Sequence, residues 1–122
     1  MYAFNHFNFN VRDLDRSLAF YKEALGLEPV RWNRQEDFTI VFLGDGTTGF
    51  QLELTWLRDR EEPYDLGECE YHLALTTEDM EASRRHHEAM GCVCFVNDAM
   101  GIYFIEDPDG YWIEIIPPRN RG

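Results

Sequence analysis

Two histidines and two glutamates stand at matching places in the sequence and could together hold a divalent metal ion. They are His6, Glu53, His72 and Glu114, with each glutamate following its histidine by 47 residues in the first case and 42 in the second. Imidazole nitrogens and carboxylate oxygens suit ions such as Ni, Co, Mn, Fe or Zn. Four protein ligands on a six-coordinate ion would leave two positions for substrate, as a catalytic site requires.

Each of these four residues also has an ordinary structural interpretation. A histidine on a sheet can be hydrogen-bonded, and a glutamate can be solvated; for one residue alone that interpretation is preferred. The metal-binding hypothesis is favoured because all four occupy equivalent positions of a repeat. His86 and His87 are assigned instead to the solvated face of a helix, and the short segment Asp107–Gly110 to a turn rather than a calcium loop.

An internal repeat relates the two halves of the chain. His6 and His72 lie 66 residues apart, and each is followed by an aspartate seven positions later and a serine eleven positions later. The segment 24–26 then matches 89–91 after one deletion, and both segments end in glycine. We interpret this pattern as a duplicated module.

The first half has the pattern of a βαβββ module. Phe7, Phe9 and Val11 alternate with polar residues, which predicts a strand with His6 on its polar face. A helix then begins after Asp13 and ends at Gly26, a residue suited to a left-handed cap. Three strands are predicted near residues 28–33, 37–43 and 49–57.

The same order of elements is predicted in the second half. They are a strand over 70–76, a helix over 78–90 and strands over 92–96, 102–106 and 111–117. In the last strand of each half, alternation places Glu53 or Glu114 on the face opposite its apolar neighbours. On its own face Glu114 is an isolated carboxylate between Trp112 and Ile116, and a lone glutamate there needs a partner.

These elements predict an α+β fold of two βαβββ modules that form a curved mixed sheet around a metal cleft. The first module spans residues 1–57, the linker 58–69 and the second module 70–122, as one structural domain overall. A homodimer is expected because small modules gain core and cover their sheet edges by pairing. Order alone leaves open whether one chain supplies all four ligands or two chains supply two each.

Composition excludes several classes of partner. The chain has 122 residues, of which 44% are hydrophobic, and its 11 basic and 23 acidic side chains give a net charge of −12. Such a charge repels nucleic acid and anionic membrane surfaces.

There is no apolar run of the ~20 residues that a spanning helix needs, and no leader, so a cytoplasmic protein is predicted. The odd set Cys69, Cys92 and Cys94 is expected to be reduced.

The sequence resembles the vicinal-oxygen-chelate superfamily and, within it, glyoxalase I (lactoylglutathione lyase). Five segments carry the resemblance. Segments 11–17 and 20–27 follow His6, segment 52–55 contains Glu53, segment 64–67 precedes His72, and segment 104–114 ends at Glu114. Glyoxalase I has His or Gln, Glu, His and Glu at the ligand positions. Fosfomycin-modifying relatives and extradiol dioxygenases use three protein ligands, so Glu53 favours glyoxalase I.

The resemblance implies a reaction and roles for the four residues. The substrate would be the hemithioacetal of a 2-oxoaldehyde, typically methylglyoxal, and a thiol, and the product a 2-hydroxyacyl thioester formed through an enediolate. Glu114 would be the proton-transferring base with Glu53 as its counterpart, and His6 and His72 would hold the ion. Short bacterial members prefer Ni or Co, with Zn, Mn or Fe as the other options.

Departures from the family pattern leave the thiol and the exact activity open. In the family, several residues bind the carboxylates of glutathione. At the corresponding positions this sequence has Asn10, Leu57 and Glu68, and its segment 97–101 lacks the basic residue that the family has there. The physiological thiol is therefore not predicted. The alternatives are another metal-dependent enzyme of the superfamily, such as an epimerase or dioxygenase, and a non-catalytic drug-binding protein of the same fold.

Overall fold

A computed structural model describes residues 1–118 and divides the chain into two compact units. The first unit is Met1–Asp65 and the second begins at Leu66. Each unit contains one helix and one four-stranded mixed sheet, so the prediction of two βαβββ modules is confirmed. Residues 119–122 of the predicted second module lie outside the described part. No helix within residues 1–118 has the length and apolar character needed to cross a membrane.

The first unit begins with a strand whose neighbour in the sheet comes last in the module. Its elements are β1 (His6–Val11), α1 (Leu14–Leu25), β2 (Glu28–Arg34), β3 (Phe38–Gly44) and β4 (Gln51–Leu57). The strand order is β1-β4-β3-β2, with β1 parallel to β4 and the other pairs antiparallel. The first and last strands of the module are therefore adjacent, and residues at their starts lie side by side.

The second unit repeats this arrangement. Its elements are β5 (Leu73–Thr76), α2 (Met80–Met90), β6 (Val93–Asn97), β7 (Ile102–Glu106) and β8 (Trp112–Ile116), in the order β5-β8-β7-β6. The predicted strand over 70–76 was too long, because pairing with β8 begins only at Leu73, opposite Ile113. His72 therefore lies immediately before β5 rather than within it.

Both helices begin and end with the same signals. The side chains of Asp13 and Asp79 accept hydrogen bonds from backbone amides of the first turns, and Gly26 and Gly91 end the helices at φ of 68° and 73°. An aspartate at the N-cap satisfies an amide that has no helical partner, and glycine adopts the left-handed conformation without a Cβ clash. The second helix starts at Met80 instead of residue 78 because Asp79 is its cap.

One face of each sheet is buried and the other carries polar side chains. In the first unit Leu52 and Leu54 are 3% and 0% exposed, whereas Glu53 between them is only partly buried. In the second unit Ile113 and Ile115 are buried in the same way on either side of Glu114. The alternation read from the sequence therefore predicted the orientation of both glutamates correctly.

The assignment of His87 to a solvated helix face was wrong. His86 is exposed, but His87 is 2% exposed, and its Nδ1 lies 2.8 Å from the hydroxyl of Tyr103 on β7. The same hydroxyl lies 2.6 Å from the Ser83 hydroxyl, one turn earlier on α2. A buried imidazole is tolerated here because polar groups satisfy its hydrogen bonding.

Tyr103→Phe is expected to lower the free energy of unfolding by about 1–3 kcal/mol, since it deprives Ser83 and His87 of a buried partner. Urea unfolding followed by circular dichroism measures the change. Tyr71→Phe is the matched control because Tyr71 lies in the same unit and is 43% exposed. Equal midpoints for the two variants would show that the buried hydroxyl contributes nothing.

Candidate metal centre

In the first unit His6 and Glu53 form a pair on the polar face of the sheet. The parallel register puts His6 of β1 opposite Gln51 of β4, so that Glu53 follows two residues further along the neighbouring strand, on the same face. His6 Nε2 and Glu53 Oε1 are 3.9 Å apart, with the side chains 41% and 16% exposed. We call this pair the first half-site.

A hydrogen bond from His6 to Asn5 orients the imidazole ring. His6 Nδ1 lies 2.6 Å from Asn5 Oδ1. Because a carbonyl oxygen can only accept, this contact places the proton of the neutral ring on Nδ1 and leaves the Nε2 lone pair directed to a ligand. A second interaction of this kind is the usual way in which proteins orient a metal-binding imidazole.

The second unit contains the equivalent pair. His72 Nε2 and Glu114 Oε1 are 3.5 Å apart, and the side chains are 40% and 18% exposed. The register is also the same, because Leu73 lies opposite Ile113 and Glu114 again follows two residues beyond the position opposite the histidine. We call His72 and Glu114 the second half-site.

The distances within both half-sites suit a shared ion. Metal–nitrogen and metal–oxygen bonds are about 2.0–2.2 Å, so two donors on one ion lie no more than ~4.3 Å apart. Each half-site meets this limit and offers one imidazole and one carboxylate. Within the described residues, no group of three or more His, Cys, Asp or Glu side chains could hold an ion. Within each unit, the structure therefore places one predicted histidine ligand next to one predicted glutamate ligand.

Each histidine ring also meets a phenylalanine of the sheet edge-on. The centroids of His6 and Phe42 are 5.5 Å apart at 87°, and those of His72 and Phe104 are 5.0 Å apart at 90°. Phe42 lies directly opposite Glu53, and Phe104 directly opposite Glu114. Sequence analysis missed both phenylalanines because it did not predict which residues of neighbouring strands would be paired.

The surroundings of the two half-sites differ. Opposite Glu53 on β1 is Asn8, which accepts a hydrogen bond from the Thr55 hydroxyl at 2.6 Å and donates one to Asn10 Oδ1 at 2.7 Å. The position opposite Glu114 on β5 is Ala74. The first half-site therefore has hydrogen-bonding neighbours that the second lacks.

Aromatic side chains surround the second half-site. Phe95, which is 48% exposed, stacks on Trp112 with centroids 6.1 Å apart at 24°. Phe104 contacts the same indole at 5.4 Å. Glu114, in the strand that carries Trp112, is thus next to an apolar surface.

The three cysteines are free thiols. Burial, together with the negative charge of Glu106, raises the pKa of Cys94 to about 11. Only the thiolate is an effective nucleophile, so this thiol should be inert near neutral pH. We interpret Cys94 as a packing residue.

At pH 8, Cys94 is expected to react with iodoacetamide about a hundredfold more slowly than a small thiol of pKa 9, because its thiolate fraction is lower by that factor. Peptide mass spectrometry of timed samples measures the rate. Labelling as fast as that of the free thiol would contradict the raised pKa.

The fold agrees with comparisons to known proteins. The chain belongs to the Glyoxalase/Bleomycin resistance protein/Dioxygenase superfamily, which matches residues 3–115. Within that superfamily it is similar to lactoylglutathione lyases. The probable enzyme of Vibrio parahaemolyticus is 34% identical, covering 96% of this chain and 91% of the relative; the enzyme of Neisseria meningitidis serogroup A is 37% identical, covering 94% and 90%.

Solved structures of glyoxalase I are also similar. The trypanothione-dependent glyoxalase I of Leishmania major has a TM-score of 0.84 and 29% identity, covering 96% of this chain and 87% of that chain. A glyoxalase I variant from Zea mays has a TM-score of 0.83 and 29% identity, covering 96% and 46%. Together with the sequence relatives, these structures support an enzyme of the lyase class.

Proposed function

We propose that this chain is a metal-dependent glyoxalase I that isomerises the hemithioacetal of a 2-oxoaldehyde, such as methylglyoxal, and a thiol to a 2-hydroxyacyl thioester. The observation that carries the proposal is the repeated His–Glu pair, at 3.9 Å in the first unit and 3.5 Å in the second. The similarity to lactoylglutathione lyases over more than nine-tenths of the chain supports the same activity.

The two half-sites would contribute to one ion, held by His6, Glu53, His72 and Glu114. Two imidazoles and two carboxylates form a donor set that suits a divalent ion of borderline character. When bound, the ion would supply a Lewis acid that stabilises negative charge developing on the substrate oxygens. Two ligands alone are a weak site, so each half-site needs the other, from the same chain or from a second copy.

Glu114 would move the proton. The reaction removes a proton from the carbon next to a carbonyl and returns one to the adjacent carbon, a task for a carboxylate that can accept and then donate. Glu114 is 18% exposed and stands in the strand that also carries Trp112, beside an aromatic surface. Glu53 would be its counterpart in a more polar setting, where Asn8 and Thr55 are hydrogen-bonded.

Nickel or cobalt is the proposed ion, a homodimer the proposed assembly and the cytoplasm the proposed location. Imidazole and carboxylate ligands suit Ni, Co, Mn, Fe or Zn, and the resemblance to short bacterial members favours nickel or cobalt among them. The free cysteines are consistent with a reducing compartment. Sedimentation equilibrium tests the assembly, since a molecular mass of one chain at all concentrations would contradict the homodimer.

A panel of thiols tests the reaction itself. Protein loaded with Ni is mixed with methylglyoxal and, in parallel, glutathione, a neutral thiol and a cationic thiol, and thioester absorbance is followed. At least one thiol is expected to give thioester at a rate proportional to enzyme concentration. Metal-bound protein that converts none of the adducts would favour another metal-dependent reaction of the superfamily.

The exposed aromatic surface supports one alternative from another class. Phe95, Phe104 and Trp112 could hold a flat aromatic drug without catalysis. Tight binding of such a drug, for example bleomycin, by metal-free protein that forms no thioester would favour this function. Thioester formation together with bound metal would reject it.

A further inference from the structure

Arg31 lies on the same face of the first sheet as His6 and Glu53. The register of β2 and β3 puts Arg31 opposite Phe42, and that of β3 and β4 puts Phe42 opposite Glu53. Residues paired in this way point to the same side of a sheet. Two strand spacings of about 4.8 Å separate the backbones of Arg31 and Glu53 by roughly 10 Å.

The guanidinium of Arg31 is held in place but not neutralised. Its Cζ lies 4.0 Å from the centroid of the Phe42 ring. Stacking uses the flat face of the guanidinium and leaves the N–H donors at its edge available. Within residues 1–118, Arg31 forms no ion pair, whereas Arg58, Arg84 and Arg85 do.

The repeat indicates that packing does not require a cation at this position. In the second unit the equivalent place is occupied by Phe95, which lies opposite Phe104, itself opposite Glu114. An aromatic side chain therefore covers the central phenylalanine of that sheet. The charge at Arg31 distinguishes the first half-site from the second and calls for a function other than packing.

The charge balance of the chain makes an available cation significant. With a net charge of −12, the protein repels anionic ligands at long range. Recognition of an anionic thiol would therefore need a basic residue on the face that carries His6 and Glu53.

We propose that Arg31 is a specificity residue that binds a carboxylate of a peptide thiol cosubstrate. A guanidinium binds a carboxylate through two parallel hydrogen bonds. An extended peptide spans about 3.3–3.6 Å per residue, so a carboxylate two or three residues from the reacting sulfur covers the roughly 10 Å from Glu53 to Arg31. This inference rests on the proposed function.

Binding of S-methylglutathione and of its diethyl ester to Ni-loaded protein, measured by calorimetry, tests the proposal. Arg31→Leu is expected to weaken binding of the acid about tenfold or more and to change binding of the ester less than twofold. Arg31→Lys, which keeps the charge but loses the two-donor fork, should fall between wild type and Arg31→Leu.

Arg34→Leu is the matched control. Arg34 lies on the same strand, is also exposed and has its Cζ 4.0 Å from the centroid of the Trp32 ring, but it is opposite Thr39, on the other face of the sheet from Arg31. Its replacement should change binding of the acid less than twofold. Thermal unfolding of both variants shows whether they are equally well folded.

Three results would overturn the proposal: no binding of the acid by wild-type protein, equal losses in Arg31→Leu and Arg34→Leu, or equal losses for acid and ester in Arg31→Leu. In any of these cases, turnover of a neutral thiol adduct would leave the lyase activity intact. Conversely, selective weakening in Arg31→Leu together with no turnover of any adduct would reject the proposed function but keep the carboxylate site.

Discussion

Glu114→Gln is expected to lower turnover by about a hundredfold to ten-thousandfold, the usual contribution of a positioned general base. An amide has nearly the shape of a carboxylate, so Ile113 and Ile115 on either side should pack as before. It cannot accept the substrate proton, however, and the transfer between the two carbons stops. Thioester absorbance at saturating Ni and saturating hemithioacetal measures the loss.

The control for this experiment is Glu78→Gln. Glu78 is an exposed carboxylate that precedes α2 and belongs to neither half-site. The control variant should retain wild-type turnover, and circular dichroism should show all three proteins folded. Turnover of Glu114→Gln within twofold of wild type would reject Glu114 as the base.

His72→Ala is expected to weaken Ni binding by at least about a hundredfold and to lower turnover at limiting metal in proportion. Outer-shell partners of metal ligands already contribute 10–100-fold in affinity, so the loss of a direct ligand should have no smaller effect. The partly exposed ring of His72 makes few core contacts, and its removal should leave the sheet intact. Titration of metal-free protein with Ni, followed by calorimetry, measures the affinity.

His86→Ala is the matched control for that variant. His86 lies in the same unit and is also exposed, but it is on α2 and its ring contacts His87 rather than a carboxylate of a half-site. It should bind Ni as wild type does. Equal affinities for His72→Ala and His86→Ala would remove His72 from the proposed ligand set.

Much of the fold was predictable because local signals agree with the tertiary structure. Alternation oriented Glu53 and Glu114, and the Asp13 and Gly26 caps marked the ends of α1. What could not be predicted depends on register between strands. An irregularity between Pro29 and Arg31 shifts the pairing of β2 with β3, so the sequence gives no sign that Arg31 lies opposite Phe42.

The burial of His87 was missed for a different reason. The central part of α2, Ser83-Arg84-Arg85-His86-His87-Glu88, has no apolar residue, so its pattern indicates a solvated helix. The side that faces the sheet is polar but satisfied, through Ser83, His87 and the hydroxyl of Tyr103. Such a partner comes from a distant strand and leaves no local signal in the sequence.

The repeat also explains how one fold can carry two different environments. Both units keep the His–Glu pair and the edge-on phenylalanine. The residue paired with this phenylalanine on the next strand differs between the units. It is Arg31, opposite Phe42, in the first unit and Phe95, opposite Phe104, in the second. We infer that the first half-site is specialised for polar recognition and the second for proton transfer beside an apolar surface.

Counting the nickel ions retained per chain after dialysis tests most directly whether the two half-sites act together on one ion. Wild-type protein is compared with a variant lacking the first half-site (His6→Ala with Glu53→Ala) and one lacking the second (His72→Ala with Glu114→Ala). We expect about one ion per chain in wild type and almost none in either variant. Wild-type protein that retains far less than one ion, or a variant that retains half or more of the wild-type amount, would contradict it.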